Sequence, residues 1–362
     1  MRRAYAQAPR ERRLPVTVLG ATGLVGQRVI SLLEGHPWLE LAHGVASERR
    51  AGARYGDVVR WHVETPPPAA ALDLRLESPD SAQVSDLRGQ IVISALPADE
   101  ARELEPRYAR AGALVFSNAS AFRMEPDVPL IVPEINPDHL AALPTQRERR
   151  GWPGAIVTNP NCSTIGLTLA LAPLQRFGLK RVLVTTFQAA SGAGHPGVPS
   201  LDLIDNVVPY IGGEEDKLET ETLKILGGWA EDSFAPLAAR VSATCARVPV
   251  RDGHLESVSV EFERRPEPEE IVAAWRAYTA EPQRLGLPSA PQPVIVYREE
   301  HDRPQPIADR LTGDGMAVTV GRLRTCDVLD YKFFALSHNT IRGAAGAALL
   351  NVELAVAQGL VE

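Results

Sequence analysis

Apolar positions along the chain fall into short runs rich in β-branched residues, separated by stretches with helical spacing. Val16-Thr17-Val18-Leu19 reads as a strand running into Gly20-Ala21-Thr22-Gly23-Leu24-Val25-Gly26, then an amphipathic helix to about Leu33. Further strands are expected at about Leu41 to Ala46, Ile91 to Leu96 and Ala113 to Phe116, with a helix from about Ala98 to Ala111. Pro66-Pro67-Pro68 marks a loop, and the polar stretch Thr145 to Gly151 reads as another. The run Ala155-Ile156-Val157 leads into Asn159-Pro160-Asn161-Cys162-Ser163-Thr164 and a helical run from Ile165 to Arg176. Strands alternating with helices predict a doubly wound parallel sheet, with its ligand crevice at the carboxyl ends of the strands.

Beyond Arg176 the rhythm changes. Strands are expected at Arg181 to Gln188, Val241 to Val250, Leu255 to Phe262, Val294 to Tyr297 and Ala317 to Val320, and in the run ending at Leu336. Helices at Ser200 to Val208, Glu214 to Leu226 and Pro268 to Tyr278 interrupt them irregularly. That predicts an α+β unit with an antiparallel or mixed sheet. Asn339 is expected to cap a final helix, Thr340 to Ala357, small and apolar on one face and packing back on the first unit. The fold class is therefore α/β, a Rossmann-type doubly wound sheet with a second α+β domain. The expected boundaries are 14–160 plus 339–362 for the first and 161–338 for the second.

Composition narrows the function. A length of 362 residues suits two domains rather than one core. A net charge of -7, with both signs mixed along the chain, gives no basic stripe for nucleic acid. No apolar run reaches the ~18 residues of a membrane helix. The three cysteines, Cys162, Cys245 and Cys326, are far apart with no CxxC pair, which disfavours a metal site or disulfide framework and suits a reducing cytoplasm. The Arg-rich stretch Met1 to Arg13 lacks an apolar segment behind it and reads as a frayed, solvated tail rather than a secretion signal.

The chemistry concentrates at the turns. In the GxxGxxG pattern, Gly20 allows a tight turn, Gly23 lets a pyrophosphate approach the backbone, and Gly26 lets helix pack on strand. Ser47-Glu48-Arg49-Arg50 follows the second strand; a serine and arginines there favour a 2′-phosphate, hence NADP, over a bare ribose hydroxyl. Cys162 stands at a helix start, where free N–H groups and the helix dipole can lower a thiol pKa from about 8.5 to roughly 3.5–7.5. It is either a nucleophile or a buried cysteine at a helix cap supplied by Asn161 or Ser163. Ser94, Ser117, Asn118 and Cys162 all follow strand ends, so one crevice could hold them. Arg123 is either an oxyanion clamp or a surface arginine. Ala189-Ala190-Ser191-Gly192-Ala193-Gly194-His195-Pro196-Gly197 is rich enough in glycine to bring backbone close to a ligand. Glu214 and Lys217, at i and i+3, are either a surface ion pair or an anion and a cation offered to a zwitterionic substrate. Arg247 and His254 are expected near one hairpin end, the histidine as acid/base or as a satisfied hairpin residue. Cys245 is read as structural.

Taken together, GATGLVG, SNASAFR, NPNCST, FQAASGAGHPG, EEDKLETETLKIL, RVPVRDGH and HNTIRGAAG resemble, in order, the aspartate-semialdehyde dehydrogenase family. The longer form found in archaea and fungi, itself similar to archaeal malonyl-CoA reductase, is the nearest match, from about Val16 to the C-terminus. The resemblance implies Cys162 as acyl-thioester nucleophile, His254 as acid/base, Asn161 beside the nucleophile and Gln188 orienting the substrate. It implies Arg247 on the substrate α-carboxylate, Glu214 on the α-amino group, and Arg123 with Lys217 on phosphate. The NADP contacts would come from Gly20, Thr22, Gly23, Leu24, Val25, Gly26, Ser47, Arg49, Arg50, Ser94 and Asn118, with Ser191, Gly192 and Asn339 towards the nicotinamide. The reaction implied is NADPH-dependent reduction of L-4-aspartyl phosphate to L-aspartate 4-semialdehyde, in lysine, threonine and methionine biosynthesis, by a homodimer or homotetramer. The competing readings are a malonyl-CoA reductase, against which an amino-group ligand argues, and a non-catalytic NADP-binding redox sensor, against which the Cys162 and His254 pair argues.

Overall fold

The computed structural model describes residues 12–80, 87 and 89–361. Most of the Arg-rich tail, residues 1–11, lies outside the described residues; Arg13 pairs with Glu40 at 2.9 Å. Five strands, β1 (Leu14–Leu19), β2 (Leu39–Val45), β3 (Ile91–Ser94), β4 (Leu114–Ser117) and β5 (Ala155–Thr158), form an all-parallel sheet in the order β2-β1-β3-β4-β5. Both faces are covered, which is why these strands read as unbroken apolar runs. Ile91, Ile93, Leu114 and Phe116 pack on one side with the helix Leu24–Leu33 and the last helix, Gly346–Ala357. Val92, Val115 and Ile156 pack on the other with Ala101, Tyr108 and Ala109 of the helix Ala98–Arg110.

The second sheet is mixed. Its strands are β6 (Leu179–Gln188), β9 (Arg240–Arg247), β10 (His254–Phe262), β11 (Ile295–Arg298), β12 (Val318–Thr325) and β13 (Tyr331–Ser337), in the order β11-β12-β13-β10-β6-β9. A small hairpin, β7 (Gly228–Ala230) and β8 (Ser233–Ala235), stands apart. In β10, His254, Glu256, Val258, Val260 and Phe262 are buried and the residues between them half-buried. The buried face packs under the helices Cys162–Leu171, Glu214–Ile225 and Pro268–Arg276. The other face stays partly open, with Leu183 45% exposed.

Five sequence expectations are corrected. The stretch Thr145 to Gly151 belongs to a helix, Ala142–Arg150, not a loop. Buried Gln146 anchors it to Asp127 O and Ile156 O, Arg150 grips Asp127, and Gly151 ends it at φ 63°; its charged residues face outward, masking the helical pattern. The nucleophile helix begins at Cys162 itself and tightens after Leu171 into a 3-10 segment, Ala172–Phe177, around Pro173. The helix at Ser200 stops at Leu203. Arg247 and His254 do not share a hairpin, because β6 lies between β9 and β10. Asn339 does not cap the last helix: a π-helical turn, Ile341–Ala345, precedes it, and the Asn339 side chain bonds Ser191 Oγ and the Gly253 N–H.

Candidate active site

The register of the second sheet builds the site. Gln188 pairs with Arg247 across β6 and β9, and His254 pairs with Ser337 across β10 and β13. Because Leu255 pairs with Phe187, His254 falls beside Gln188, so Arg247, Gln188 and His254 form one row on the helix-covered face. Cys162 is delivered to that row by its helix. The Asn161 side chain caps it, accepting from Ser163 N–H at 2.9 Å and Thr164 N–H at 3.4 Å. Cys162 Sγ lies 3.2 Å from His254 Nε2. Gly343 packs flat on the nucleophile: a Cβ there would fall 2.7 Å from the Cys162 Cβ. Gly192 does the same on the opposite wall, where a Cβ would fall 2.6 Å from Arg247 Nη1 and 3.0 Å from His254 Cε1.

One carboxylate organises the polar wall. Glu214 Oε1 accepts from Lys217 Nζ at 2.9 Å, and Oε2 accepts from Asn161 Nδ2 at 2.8 Å and Gln188 Nε2 at 3.2 Å. Burial opposes its ionisation, but Lys217 and these amides outweigh it and hold the carboxyl below the usual range. Arg247 donates to Ala189 O at 2.8 Å. Cys162 keeps partial access to solvent, yet burial and then the Glu214 charge push its thiol up to about 12, against the pull of Arg123, Arg247 and the helix start. The lowering expected at the helix start is therefore outweighed: burial exceeds the pull of Arg123, Arg247 and the Ser163 N–H. His254 is held well below the ordinary imidazole range by burial, then by Arg247 and His338.

Arg123 is no surface arginine. It donates to Asn159 O at 2.9 Å, Asn118 O at 2.7 Å and Glu221 Oε1 at 3.0 Å. That uses three of a guanidinium's five N–H groups. Glu221 Oε2 in turn accepts from the Asn161 N–H at 2.7 Å, so Glu221 bridges the arginine to the nucleophile turn. Sequence reasoning missed Glu221; its signal was an acid on the buried stripe of its helix, beside Leu218, Thr222 and Ile225. Two more buried groups were missed. Lys224 donates to Arg123 O, Glu125 O and Val128 O at 2.7, 2.9 and 2.8 Å, and burial pushes it down to about 8. Glu105 Oε1 accepts from Ser117 Oγ at 2.6 Å, and burial pushes its carboxyl up to about 7.

The first sheet supplies the adjoining half of the crevice. Gly20 turns at φ 72°, and a Cβ on Gly26 would fall 2.3 Å from Gly20 O, so helix and strand meet only through glycine. Thr22 receives a bond from Arg50, and Ser47, Arg49 and Arg50 are exposed around it at the end of β2. Glu48 is occupied by Ser78. Asn118 donates to Ser94 O at 3.0 Å, and Ser94 is buried at the end of β3. Leu24, Arg28, Ser191, Gly194 and Arg251 share one pocket, which joins the glycine turn to the loop that carries Ser191 and Gly192. Asn339 Nδ2 donates to Ser191 Oγ at 2.7 Å. A glycine turn opening a helix, with a basic, hydroxyl-bearing corner beyond the second strand, fits a phosphorylated dinucleotide. Among the described residues no group of three or more His, Cys, Asp or Glu side chains could hold a metal ion.

This combination defines a dinucleotide-dependent oxidoreductase with a cysteine at the crevice floor. Residues 15–143 match the family model of the semialdehyde dehydrogenase NAD-binding domain, and 171–342 match its dimerisation domain. Aspartate-semialdehyde dehydrogenase of Archaeoglobus fulgidus is 51% identical over 96% of this chain and 100% of its own length. The enzyme of Cryptococcus neoformans is 48% identical over 96% of this chain and 98% of its own. The crystal structure of the Candida albicans enzyme with NADP superimposes with a TM-score of 0.87, at 41% identity, over 97% of this chain and 100% of that one. The chain belongs to the aspartate-semialdehyde dehydrogenase family.

Proposed function

We propose that this chain catalyses the NADPH-dependent reductive dephosphorylation of L-4-aspartyl phosphate to L-aspartate 4-semialdehyde, in lysine, threonine and methionine biosynthesis. The observation that carries the reading is the 3.2 Å contact of Cys162 with His254 beneath a wall bearing both an anion and cations. Cys162 attacks the acyl carbon and displaces phosphate, leaving a thioester. Arg247 takes the substrate α-carboxylate and Glu214 its amino group; Gln188 and Asn161 hold Glu214 in place. Lys217 and the remaining N–H groups of Arg123 take the phosphate. His254 presents Nε2 to the reacting oxygen and sulfur. Gly20, Thr22, Gly23, Leu24, Val25, Gly26, Ser47, Arg49, Arg50 and Asn118 hold NADP, with Ser191, Gly192 and Asn339 on its nicotinamide side. When bound, NADPH would supply the hydride that reduces the thioester, leaving NADP. Ser94 belongs to the same NADP-holding set and also accepts from Asn118 through its carbonyl.

The working units are 14–160 with 339–362, and 161–338. The first ends where the nucleophile turn begins and regains its last helix from the C-terminus. A homodimer, or a tetramer built from dimers, would form through the partly open face of the second sheet, where Leu183 lies between Arg181 and Thr185. No described helix is long and apolar enough to cross a membrane, and we place the enzyme in the cytoplasm. The test is phosphate-dependent reduction of NADP by the semialdehyde, with malonyl-CoA reduction as the comparison. Wild-type protein inactive with the semialdehyde would refute the assignment, as would a Cys162→Ala variant that keeps activity.

A further inference from the structure

The turn Ile341–Ala345 is wound more loosely than the helix that follows it. Gly343 N–H donates to His338 O at 2.9 Å and Ala345 N–H to Thr340 O at 3.2 Å, five residues back in each case rather than four. Such π turns are rare and recur at functional sites. This one meets the crevice at three places. Gly343 lies so close to the nucleophile that a Cβ there would fall 3.0 Å from Cys162 Cα and 3.1 Å from its carbonyl oxygen. Ala344 O accepts from Asn159 Nδ2 at 3.3 Å, two residues before the Asn161 cap. Asn339, just ahead of the turn, donates to Ser191 Oγ at 2.7 Å and accepts from the Gly253 N–H at 2.9 Å, next to His254.

A buried ion pair holds this turn, and no step of the proposed reaction uses it. Arg342 Nη1 and Nη2 donate to Glu134 Oε1 and Oε2 at 2.7 and 2.5 Å, and both side chains are fully buried. The partners stand 208 residues apart, so the contact ties the segment between β4 and β5 to the start of the last helix. Glu134 is itself fixed. Tyr278 Oη donates to its carbonyl at 2.6 Å. Asn136 closes the turn that carries it, accepting from the Val132 N–H at 2.9 Å and donating to Leu130 O at 2.8 Å. We infer that the Glu134–Arg342 pair is a positioning element of the active site, holding the π turn so that Gly343 stays seated on Cys162 and Asn339 on Ser191 and Gly253.

A two-point fork fixes an orientation, where a single charge fixes little more than a distance. A buried pair is a poor source of stability. Well-packed apolar residues of similar volume often serve as well or better, whereas removing one partner strands a charge. Register and orientation are what such a pair supplies here. They matter because the turn stands between the nucleophile and the Ser191 loop, which must face each other across the reacting carbon. A misplacement of about 1 Å can cost about 10²-fold in rate. Among the described residues, none of the substrate contacts assigned above, Arg247, Glu214, Lys217 and Arg123, hydrogen-bonds the turn. The pair therefore governs kcat more than KM. The identity of the reacting groups rests on the function proposed above; the pair and its hold on the turn do not.

The test uses the full chain. The double variant Glu134→Leu/Arg342→Met replaces the pair with apolar side chains and should melt close to wild type. In the semialdehyde assay it should lose about 10-fold or more in kcat, with KM for the semialdehyde within about twofold. In an Asn339→Ala background the same double change should cost clearly less, because part of what the pair holds is already gone. Wild-type kcat in the double variant, or losses that multiply in full with Asn339→Ala, would overturn the inference. If the double variant does not fold, Glu134→Gln, which keeps the shape and one acceptor oxygen, is held to the same outcomes. A second arm needs no substrate. Iodoacetamide should alkylate Cys162 faster in the cofactor-free pair variant than in wild type of equal melting temperature, since Gly343 no longer covers it; an unchanged rate would also overturn the inference. If wild-type protein does not reduce NADP with the semialdehyde at all, the proposed substrate fails, while the alkylation arm still decides the role of the pair.

Discussion

The two sheets form their halves of the crevice by opposite means. The parallel sheet shapes its half with backbone: Gly20 and Gly26 lie in one contiguous turn, and the missing Cβ atoms make the surface. The mixed sheet builds its half from side chains gathered across the chain, Cys162, Gln188, Glu214, Arg247 and His254, aligned by strand register and one capped helix. The difference teaches where each half is vulnerable. A backbone site fails when a side chain is added, and a side-chain site fails when one partner of a pair is removed.

The largest expected effect tests the side-chain half. Cys162→Ala should lower kcat by more than about 10⁴-fold with the fold intact by circular dichroism, because the covalent route is gone. Next, Glu221→Ala should destabilise the protein by about 3–5 kcal/mol in chemical denaturation, since it leaves the buried Arg123 guanidinium without its counterion. It should also lower kcat/KM by loosening the Asn161 turn. Gly26→Ala probes the backbone half: its Cβ would meet Gly20 O at 2.3 Å, costing about 1–3 kcal/mol of stability and raising the NADP Kd while sparing the reactivity of Cys162 to alkylation. Arg50→Ala should leave stability unchanged and lower the preference for NADP over NAD about tenfold, an effect of ~1.4 kcal/mol read from the ratio of the two Kd values.

The last effect is a pH dependence beneath the backbone half. The Glu105 carboxyl is raised from its ordinary 4.5 to about 7 by burial. A raised carboxyl contributes stability that is full below pH 4.5 and is lost as pH rises through about 7, because the folded state then holds more protons than the unfolded. Glu105→Gln, which never ionises, should therefore gain thermal stability relative to wild type as pH is raised across that window. A difference in Tm that stays constant with pH would show that Glu105 does not titrate there.

Sequence alone determined whatever depends on neighbours in the chain. The apolar runs of β3 and β4, the GATGLVG turn, a cap from Asn161 or Ser163 beside Cys162 and the glycine-rich stretch after Gln188 are local, and each is fixed by backbone geometry or by the spacing of a few residues. The ordered set of short motifs carried the family for the same reason. The helix Ala142–Arg150 escaped because its outward charges hid one buried glutamine. Only the tertiary structure decided that β6 separates Arg247 from His254 while keeping both in one row, that Glu221 joins Arg123 to the nucleophile turn, and that the Ala189 N–H bonds His254 Nδ1. Those relations join residues far apart in sequence, and burial sets their strength. Burial outweighing the Ser163 N–H and two arginines at Cys162 belongs to the packed molecule, not to any stretch of it.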